Sequence, residues 1–282
     1  MIILDITVLY YNSTTAAAYI SLLKKNGYLP RKIIELEFPK GKKFKLIRKV
    51  FGKKITNKLF HLRNKKHKNA QYNSYLADLI MKPLPLKLKD LIIKPRNFCH
   101  EYQSIEVNNL EDPKLLTLLR QEECKTFLFT GGGIVKEKLL SILDSKFIHI
   151  HPGIVPDVKG ADGLFWSILE RNKPGYSCFY MNIGIDTGDI LSQEEFSIPN
   201  FDVLIQKYTS DEIYRGLLDY YDPVLRAITL LSLITKSEKN NDELHRLPFK
   251  VQNPDEGRTY FFMHPKLRDI MIQRIAERLI NA

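Results

Sequence analysis

The chain has 282 residues, and 44% of them are hydrophobic, which is enough for one large domain or for one domain with a small second one. It carries 43 Lys and Arg against 32 Asp and Glu, and its three cysteines show no paired spacing, which argues against a disulfide framework and a zinc ribbon. A reducing, cytoplasmic compartment is expected, and no apolar run reaches the roughly 18 residues that predict a transmembrane segment.

The first 40 residues predict the beginning of a parallel α/β sheet. The expected elements are a strand over residues 2–9, a helix over residues 16–25 and a strand over residues 33–36. Ser13 is one of three polar residues that could cap the helix, and Gly27 ends it. No Gly-x-Gly-x-x-Gly follows the first strand, so a dinucleotide is not the predicted ligand.

The excess of positive charge lies in one segment. Residues 40–68 contain 13 Lys and Arg and no acidic side chain, whereas the rest of the chain is close to neutral. Apolar side chains alternate with these charges at roughly helical spacing. The segment therefore predicts either contact with phosphates, on a nucleic acid, a nucleotide-linked sugar or an anionic lipid, or a solvated surface helix.

The middle of the chain predicts further helices and strands. We expect helices over residues 72–81, 113–121 and 136–143, and strands over residues 91–93, 101–107 and 126–129. Asp112 is the predicted N-cap of the second helix, with Pro113 at its first position. The triple glycine 131–133 allows either close approach of the backbone to a flat ligand or a tight strand-to-helix turn.

Residues 147–191 hold the candidate chemistry. A strand ends at Pro152, and its period of two places His149 and His151 on the same face near its carboxyl end. A loop follows, then a short helix over residues 164–169 and a strand over residues 177–183. Asp186 lies on the next turn. Two imidazoles and a nearby aspartate predict a proton-transfer site.

Beyond residue 196 the pattern is mainly helical. We expect helices over residues 204–217, 223–236 and 267–281, and strands over residues 247–251 and 258–263 that could pair with each other. Asp222 is the predicted N-cap of the second of these helices, with Pro223 at its first position.

The stretch from residue 147 to 191 also resembles a known family, the folate-dependent formyltransferases. The matching residues are His151-Pro152, Val155-Pro156, Gly160 and Ile185-Asp186-Thr187-Gly188, together with Trp166 and Gly175. The chain departs from the pattern at His149, where the family has an asparagine.

The resemblance implies a Rossmann-like α/β formyltransferase domain with a parallel-type sheet over residues 1–200 and a small, mainly helical region over residues 201–282. It implies 10-formyltetrahydrofolate as the formyl donor. His151 and Asp186 would act in catalysis, with His149 in the place of the asparagine. Asp186 would orient His151 and raise the pKa of its ring. The residues implied for the folate pocket are Gly132, Gly133, Ile134, Ile183, Gly184 and Asp186.

The amine acceptor is expected to be an amino sugar carried on a nucleotide, because the last 80 residues do not predict a β-barrel like that of the tRNA-acting members. Methionyl-tRNA is the alternative acceptor, since the tRNA-acting members also have a basic insertion after the second strand. A homo-oligomer remains open.

Two other classes of function fit parts of the pattern. His-x-His on a strand is also a metal-binding spacing, and Asp186 would supply a third ligand of a metal-dependent hydrolase. That class does not explain the Val155-Pro156 loop or the Asp186 turn, and the formyltransferase reading needs no metal. A non-catalytic binding protein would instead use the basic segment and leave His149 as the mark of a degenerated site.

Overall fold

A computed structural model describes residues 1–39, 70–131, 133–142, 144–198, 201–253 and 255–280. The basic segment at residues 40–68 and Gly132 lie outside these described residues. Within the described part of the chain, no helix is both long enough and apolar enough to cross a membrane.

The fold is built on a seven-stranded sheet and a separate two-stranded one. The strands are β1 (Ile2–Tyr10), β2 (Tyr28–Glu37), β3 (Glu101–Glu106), β4 (Thr126–Phe129), β5 (Lys146–His151), β6 (Val158–Gly160), β7 (Gly175–Tyr180), β8 (Asp189–Glu195) and β9 (Arg258–Tyr260). The large sheet has the order β3-β2-β1-β4-β5-β7-β8, and its first five strands are parallel. β7 and β8 add antiparallel to it, and β6 pairs with β9.

The strand order reverses between β1 and β4, as in other doubly wound sheets. From β1 the chain builds outward to β2 and β3, then crosses back to β4 and β5. Open α/β sheets bind ligands beyond the carboxyl ends of their strands near such a reversal. The carboxyl end of β5 therefore lies at the edge of the sheet where a ligand is expected.

Nine helices accompany the sheet in the described part of the chain. They are α1 (Thr14–Lys25), α2 (Ala70–Met81), α3 (Pro113–Arg120), α4 (Glu137–Leu140), α5 (Gly163–Arg171), α6 (Asp202–Lys207), α7 (Ser210–Gly216), α8 (Asp222–Asn240) and α9 (Pro265–Ile280). A π-helical turn over Leu217–Tyr221 joins α7 to α8 without a break in the helical path.

Buried side chains form two large clusters on opposite faces of the large sheet. Val8 and Leu128 belong to one cluster, and their neighbours Leu9 and Phe127 belong to the other, as the period of two in a strand requires. α1 and α8 pack on the first face, and α3 and α4 pack on the second. The α/β fold with a mostly parallel sheet is thus confirmed. α8 lies after residue 200 and shares this core with β1. The division of the chain into two parts at residue 200 stays a prediction.

Two of the three predicted helix N-caps are confirmed, and the third is wrong. Ser13 accepts a hydrogen bond from the Ala16 N–H at 3.2 Å, and Asp112 accepts one from the Lys114 N–H at 3.0 Å, so both predictions are confirmed. The prediction for Asp222 is wrong. The π-helical turn before it already occupies the helical path, so no free helix end remains for Asp222 to cap.

Four other predicted elements also differ. The strand predicted over residues 91–93 is absent, because Leu91 ends one 3-10 turn, Leu88–Leu91, and a second one, Pro95–Phe98, begins shortly after. The helix predicted over residues 136–143 is reduced to α4. The two predicted C-terminal strands do not pair with each other, since Lys250 forms a single bridge to Ile190 and β9 pairs with β6.

Candidate active site

β5 carries both histidines to the edge of the site. It pairs with β4 on one side and with β7 on the other, and Pro152 follows its last residue. His151 is buried, with only 3% of its surface exposed, whereas His149 is partly exposed. The predicted placement of the two imidazoles at the carboxyl end of a strand is confirmed.

The loop after β5 is fixed to the neighbouring strands through Ser177 of β7. Ser177 donates from Oγ to the Gly153 carbonyl at 2.7 Å and accepts from the Val155 N–H at 3.0 Å. Gln193 of β8 donates to the Val155 carbonyl at 2.6 Å. The Val155–Pro156 peptide bond is cis. Antiparallel strands β7 and β8 thus hold the loop that frames His151.

Asp186 reaches His151 from the turn before β8. Its backbone adopts a left-handed conformation with φ of 53°, and its Oδ2 lies 3.3 Å from His151 Nδ1. The same oxygen accepts a hydrogen bond from the Gly160 N–H at 2.8 Å. On the other side of the ring, His151 Nε2 lies 3.1 Å from the Val158 carbonyl oxygen. The ring is therefore held between two acceptors.

The net electrostatic effect on His151 differs from the predicted one. Asp186 acts to raise the pKa of the ring, as predicted, but burial lowers the pKa by more, and Arg226 lowers it further. The pKa of His151 is thus lowered overall, so the ring rests as the neutral imidazole at neutral pH.

His149 lies between aromatic rings. The centroid of its ring is 5.8 Å from that of Phe129 and 5.7 Å from that of Phe179. Its Nδ1 is buried and has no hydrogen-bond partner among the described residues. Burial lowers the pKa of His149 to about 4, and the Arg226 guanidinium contributes in the same direction. His149 is therefore a neutral imidazole, and one of its ring nitrogens has no hydrogen-bond partner among the described residues.

The three residues predicted for catalysis come together. One ring nitrogen of His149, one of His151 and one carboxylate oxygen of Asp186 all lie within 4.8 Å of one another. Such a set can move protons, and two imidazoles with a carboxylate are also a donor set for a metal ion.

The described residues predicted for the folate pocket lie on the loop after β4 and on the turn that carries Asp186. Gly133 follows β4 with φ of 134°, and Ile134 beside it has 79% of its surface exposed. Ile183 is 67% exposed on the turn that carries Asp186, and the Gly184 N–H donates to the Asn182 side chain at 3.1 Å. Exposed apolar side chains on two loops suit a flat ligand. The role of these residues in folate binding stays a prediction.

Sequence reasoning missed an ion pair under the site. Arg226 donates from Nε to Asp222 at 2.8 Å and from Nη1 to the Ile150 carbonyl at 2.7 Å. Tyr176 donates its hydroxyl proton to the other Asp222 oxygen at 3.0 Å. The signal was present, because Asp222 and Arg226 are spaced i, i+4 among apolar residues of one helix.

The C-terminal strand was also missed as part of the site. β9 pairs with β6, which contains both Val158 and Gly160, the two residues whose backbone contacts His151 and Asp186. The Ala161 N–H donates to the Tyr260 carbonyl at 2.9 Å. The loop that frames the His151–Asp186 pair is thus held by a segment about 100 residues further along the chain.

Comparison with known proteins matches residues 85–221 to the family model described as formyl transferase. The methionyl-tRNA formyltransferase of Syntrophus aciditrophicus is 30% identical over 152 residues, which cover 52% of this chain and 42% of the relative. That of Clostridioides difficile is 24% identical over 195 residues, 69% of this chain and 57% of the relative. This chain therefore spans about half the length of the curated relatives that it matches.

Among solved structures, a sugar N-formyltransferase from Shewanella sp. FDAARGOS_354 aligns with a TM-score of 0.45 and 16% identity, over 96% of this chain and 87% of that one. The matched residues 85–221 contain β5, the loop after it and the turn that brings Asp186 to His151. Through this segment, the chain is similar to the formyl transferase family.

Proposed function

We propose that this chain transfers the formyl group of 10-formyltetrahydrofolate to an amine, and that the amine is carried by a nucleotide-linked sugar. The observation that carries the proposal is the His151–Asp186 contact of 3.3 Å at the carboxyl end of β5, with His149 beside it, inside the segment that matches the family.

Formyl transfer requires stabilisation of the oxyanion in the tetrahedral intermediate. His149 is suited to this role because its buried Nδ1 has no protein partner. In the tautomer that carries its proton on Nδ1, the ring donates a hydrogen bond to the formyl oxygen. His149 would thus replace the side-chain amide of the family's asparagine, with an aromatic ring of different reach.

The reaction also requires a proton to move from the new ammonium to the leaving nitrogen of the folate. A neutral His151 that donates Nδ1–H to Asp186 keeps Nε2 free to accept that proton. The Val158 carbonyl, 3.1 Å from Nε2, and the Asp186 carboxylate would then both stabilise the imidazolium that forms. The lowered pKa of His151 ensures that the ring begins each cycle neutral and gives its proton up again.

The described C-terminal residues favour a small acceptor. Residues 202–240 pack into the sheet's own core, and β9 supports the loop beside His151. We take these residues as part of the site, which is in keeping with a small acceptor. Methionyl-tRNA remains the second candidate, because the relative from Syntrophus aciditrophicus that carries that name is 30% identical to this chain over 152 residues.

The test begins with the donor. 5-Formyltetrahydrofolate is a stable isomer of the donor and should raise the thermal midpoint, since a ligand at about 100 times its dissociation constant stabilises a protein by roughly 2.7 kcal/mol. Absence of a shift at high concentration would remove folate from the proposal.

Turnover then separates the acceptors. Purified protein with 10-formyltetrahydrofolate is offered nucleotide-linked amino sugars and methionyl-tRNA in parallel, and formylated product is detected by mass spectrometry. His151→Ala should abolish transfer, while His264→Ala, at an exposed position, serves as the matched control. Formylation of the tRNA alone would replace the sugar by the second candidate, and normal turnover by His151→Ala would remove His151 from the mechanism.

A further inference from the structure

An excess of lone pairs over donated protons marks the three-residue set. A neutral imidazole has one N–H. The ring faces two acceptors, the Val158 carbonyl 3.1 Å from Nε2 and Asp186 Oδ2 3.3 Å from Nδ1, so in either tautomer one of the two contacts has no proton. With the proton on Nε2, a cation at Nδ1 would satisfy the contact with Asp186.

His149 brings one more ring nitrogen to within 4.8 Å of the donor atoms of His151 and Asp186. Its Nδ1 is buried without a partner, which is costly for a polar atom unless something binds it. An asparagine at this position would offer an amide NH₂, which donates hydrogen bonds, and a carbonyl oxygen, which is a harder ligand that suits zinc less well than an imidazole nitrogen does. The histidine therefore changes the binding chemistry of the site, and it does so with a borderline-soft nitrogen ligand.

We propose that His149, His151 and Asp186 bind a divalent transition-metal ion, with zinc as the best match to two imidazoles and one carboxylate. Three protein ligands with an open fourth position are the usual set of a zinc site that keeps a water or substrate molecule. This inference concerns binding alone and does not depend on formyl transfer.

The geometry requires a modest closure. The three donor atoms lie within 4.8 Å of one another, whereas ligands of one tetrahedral zinc ion lie about 3.4 Å apart if each bond is roughly 2.1 Å long. A metal would draw them together by about 1 Å. Asp186 lies on a turn flanked by exposed residues, so its carboxylate can follow, while β5 holds the histidines.

Hydrogen bonds around the set already orient the ligands. The Val158 carbonyl accepts from the ring nitrogen of His151 that would not face the metal, and the Gly160 N–H donates to Asp186. Histidine ligands of metal ions usually donate their other N–H to a backbone carbonyl or a carboxylate in this way. His151 shows this pattern, and Asp186 is oriented by the hydrogen bond that it accepts.

The test is a zinc titration of the full chain. The protein is stripped with a chelator, dialysed and titrated with Zn²⁺ against a chromophoric chelator that reports the free ion. Wild-type protein should bind one equivalent at this site, and His149→Asn should weaken that binding by at least about 100-fold, since loss of even an outer-shell partner costs 10–100-fold. His100→Asn is the matched control, because His100 is exposed and distant in sequence from the set.

A second variant guards against misfolding of the first. Asp186→Asn should also lose the equivalent, and Co²⁺ should give the visible absorption of a tetrahedral site in wild-type protein and not in either variant. The proposal is overturned if both variants bind Zn²⁺ as wild type does, or if wild-type protein binds no more Zn²⁺ than folded His149→Asn.

Discussion

Arg226 donates from Nη1 to the carbonyl oxygen of Ile150, the residue that separates His149 from His151, over a distance of 2.7 Å. The same guanidinium is paired with Asp222, whose side chain is 5% exposed. A buried cation on α8 is thus tied to the backbone of the strand that carries both histidines. Arg226 also lowers the pKa of both histidine rings. One residue of α8 therefore contributes to the packing of the helix and to the protonation of the site.

Replacement of Arg226 by methionine should destabilise the fold strongly. Asp222 would remain buried without its counter-ion, which typically costs about 3–5 kcal/mol in the free energy of unfolding. The double variant Arg226→Met/Asp222→Asn should recover part of that loss, because the amide keeps an acceptor for Tyr176 and carries no charge. Denaturant unfolding at neutral pH measures both.

Arg215→Met is the matched control for this cycle. Arg215 also pairs with an aspartate four residues away, Asp211, but both side chains are at least half exposed. Its loss should cost less than about 1 kcal/mol. Equal losses for Arg226→Met and Arg215→Met would mean that burial of the Asp222 pair has no energetic consequence.

Gly160→Ala should separate β6 from β9. A Cβ atom at residue 160 would lie 2.3 Å from the Tyr260 carbonyl oxygen, and the backbone φ of 92° already disfavours a side chain. Strand pairing would open, and the Gly160 N–H would move away from Asp186. We expect a loss of about 1–2 kcal/mol for the conformation and a further 1–3 kcal/mol for the clash, together with loss of formyl transfer.

Gly27→Ala isolates the conformational part of that effect. Gly27 has a similar φ of 87°, but no atom lies within 4 Å of the position of an added Cβ. Gly27→Ala should therefore lower the free energy of unfolding by about 1–2 kcal/mol, which is the conformational part alone, and keep full activity. If the two variants have the same thermal midpoint and activity, β9 does not support the loop.

Stability should fall as the pH is lowered from 6.5 toward about 4. The pKa of His149 is lowered from 6.5 to about 4, so in this window the unfolded chain binds a proton that the folded chain does not. The free energy of unfolding then rises with pH by up to about 1.4 kcal/mol per unit for this one group. Above pH 6.5 the ring is neutral in both states and contributes no slope.

His149→Asn measures how much of this pH dependence of stability comes from His149. Unfolding is measured with a chelator present at pH 6.5, 6.0 and 5.5, where few carboxylates have begun to titrate. The variant should show a shallower slope than wild type by about 0.7 of a proton over this range, because the unfolded ring is only half protonated at pH 6.5, and the remainder belongs to other groups, His151 included. Parallel curves for the two proteins would contradict a lowered pKa at His149.

Zinc should inhibit formyl transfer if both proposals hold. The ion would occupy the nitrogen of His149 that faces the formyl oxygen and the ring of His151 that moves the proton. Wild-type turnover should fall with added Zn²⁺ and return on addition of a chelator, whereas His149→Asn should retain turnover at the same concentrations. Inhibition of both proteins to the same extent would place the effect of zinc elsewhere.

Much of the site could be predicted because its parts are local. His149, His151 and Pro152 define a strand end through the period of two and the missing N–H of proline, and Asp186 lies only 35 residues further on. The strands that flank them follow from β-branched and aromatic runs. A family motif that extends over 45 residues supplied the remaining assignments.

The parts that were missed depend on distant segments or on competing energies. Nothing in the residues 258–263 indicates that they pair with β6 and not with their own neighbours, since any exposed strand edge offers the same N–H and C=O groups. Asp222 before Pro223 is typical of a helix start, and only the three-dimensional path shows a helix already under way. The pKa of His151 required knowledge of its burial, which outweighs Asp186.

The positions of α8 and β9 late in the chain affect when the site can form during translation. The family match ends at residue 221, yet Arg226 and the strand Arg258–Tyr260 both contact the elements that hold His151. A nascent chain that has emerged only as far as residue 221 has every motif residue and lacks the partners that fix them. Competence for ligand binding should therefore appear late during translation, in a step that follows formation of the sheet.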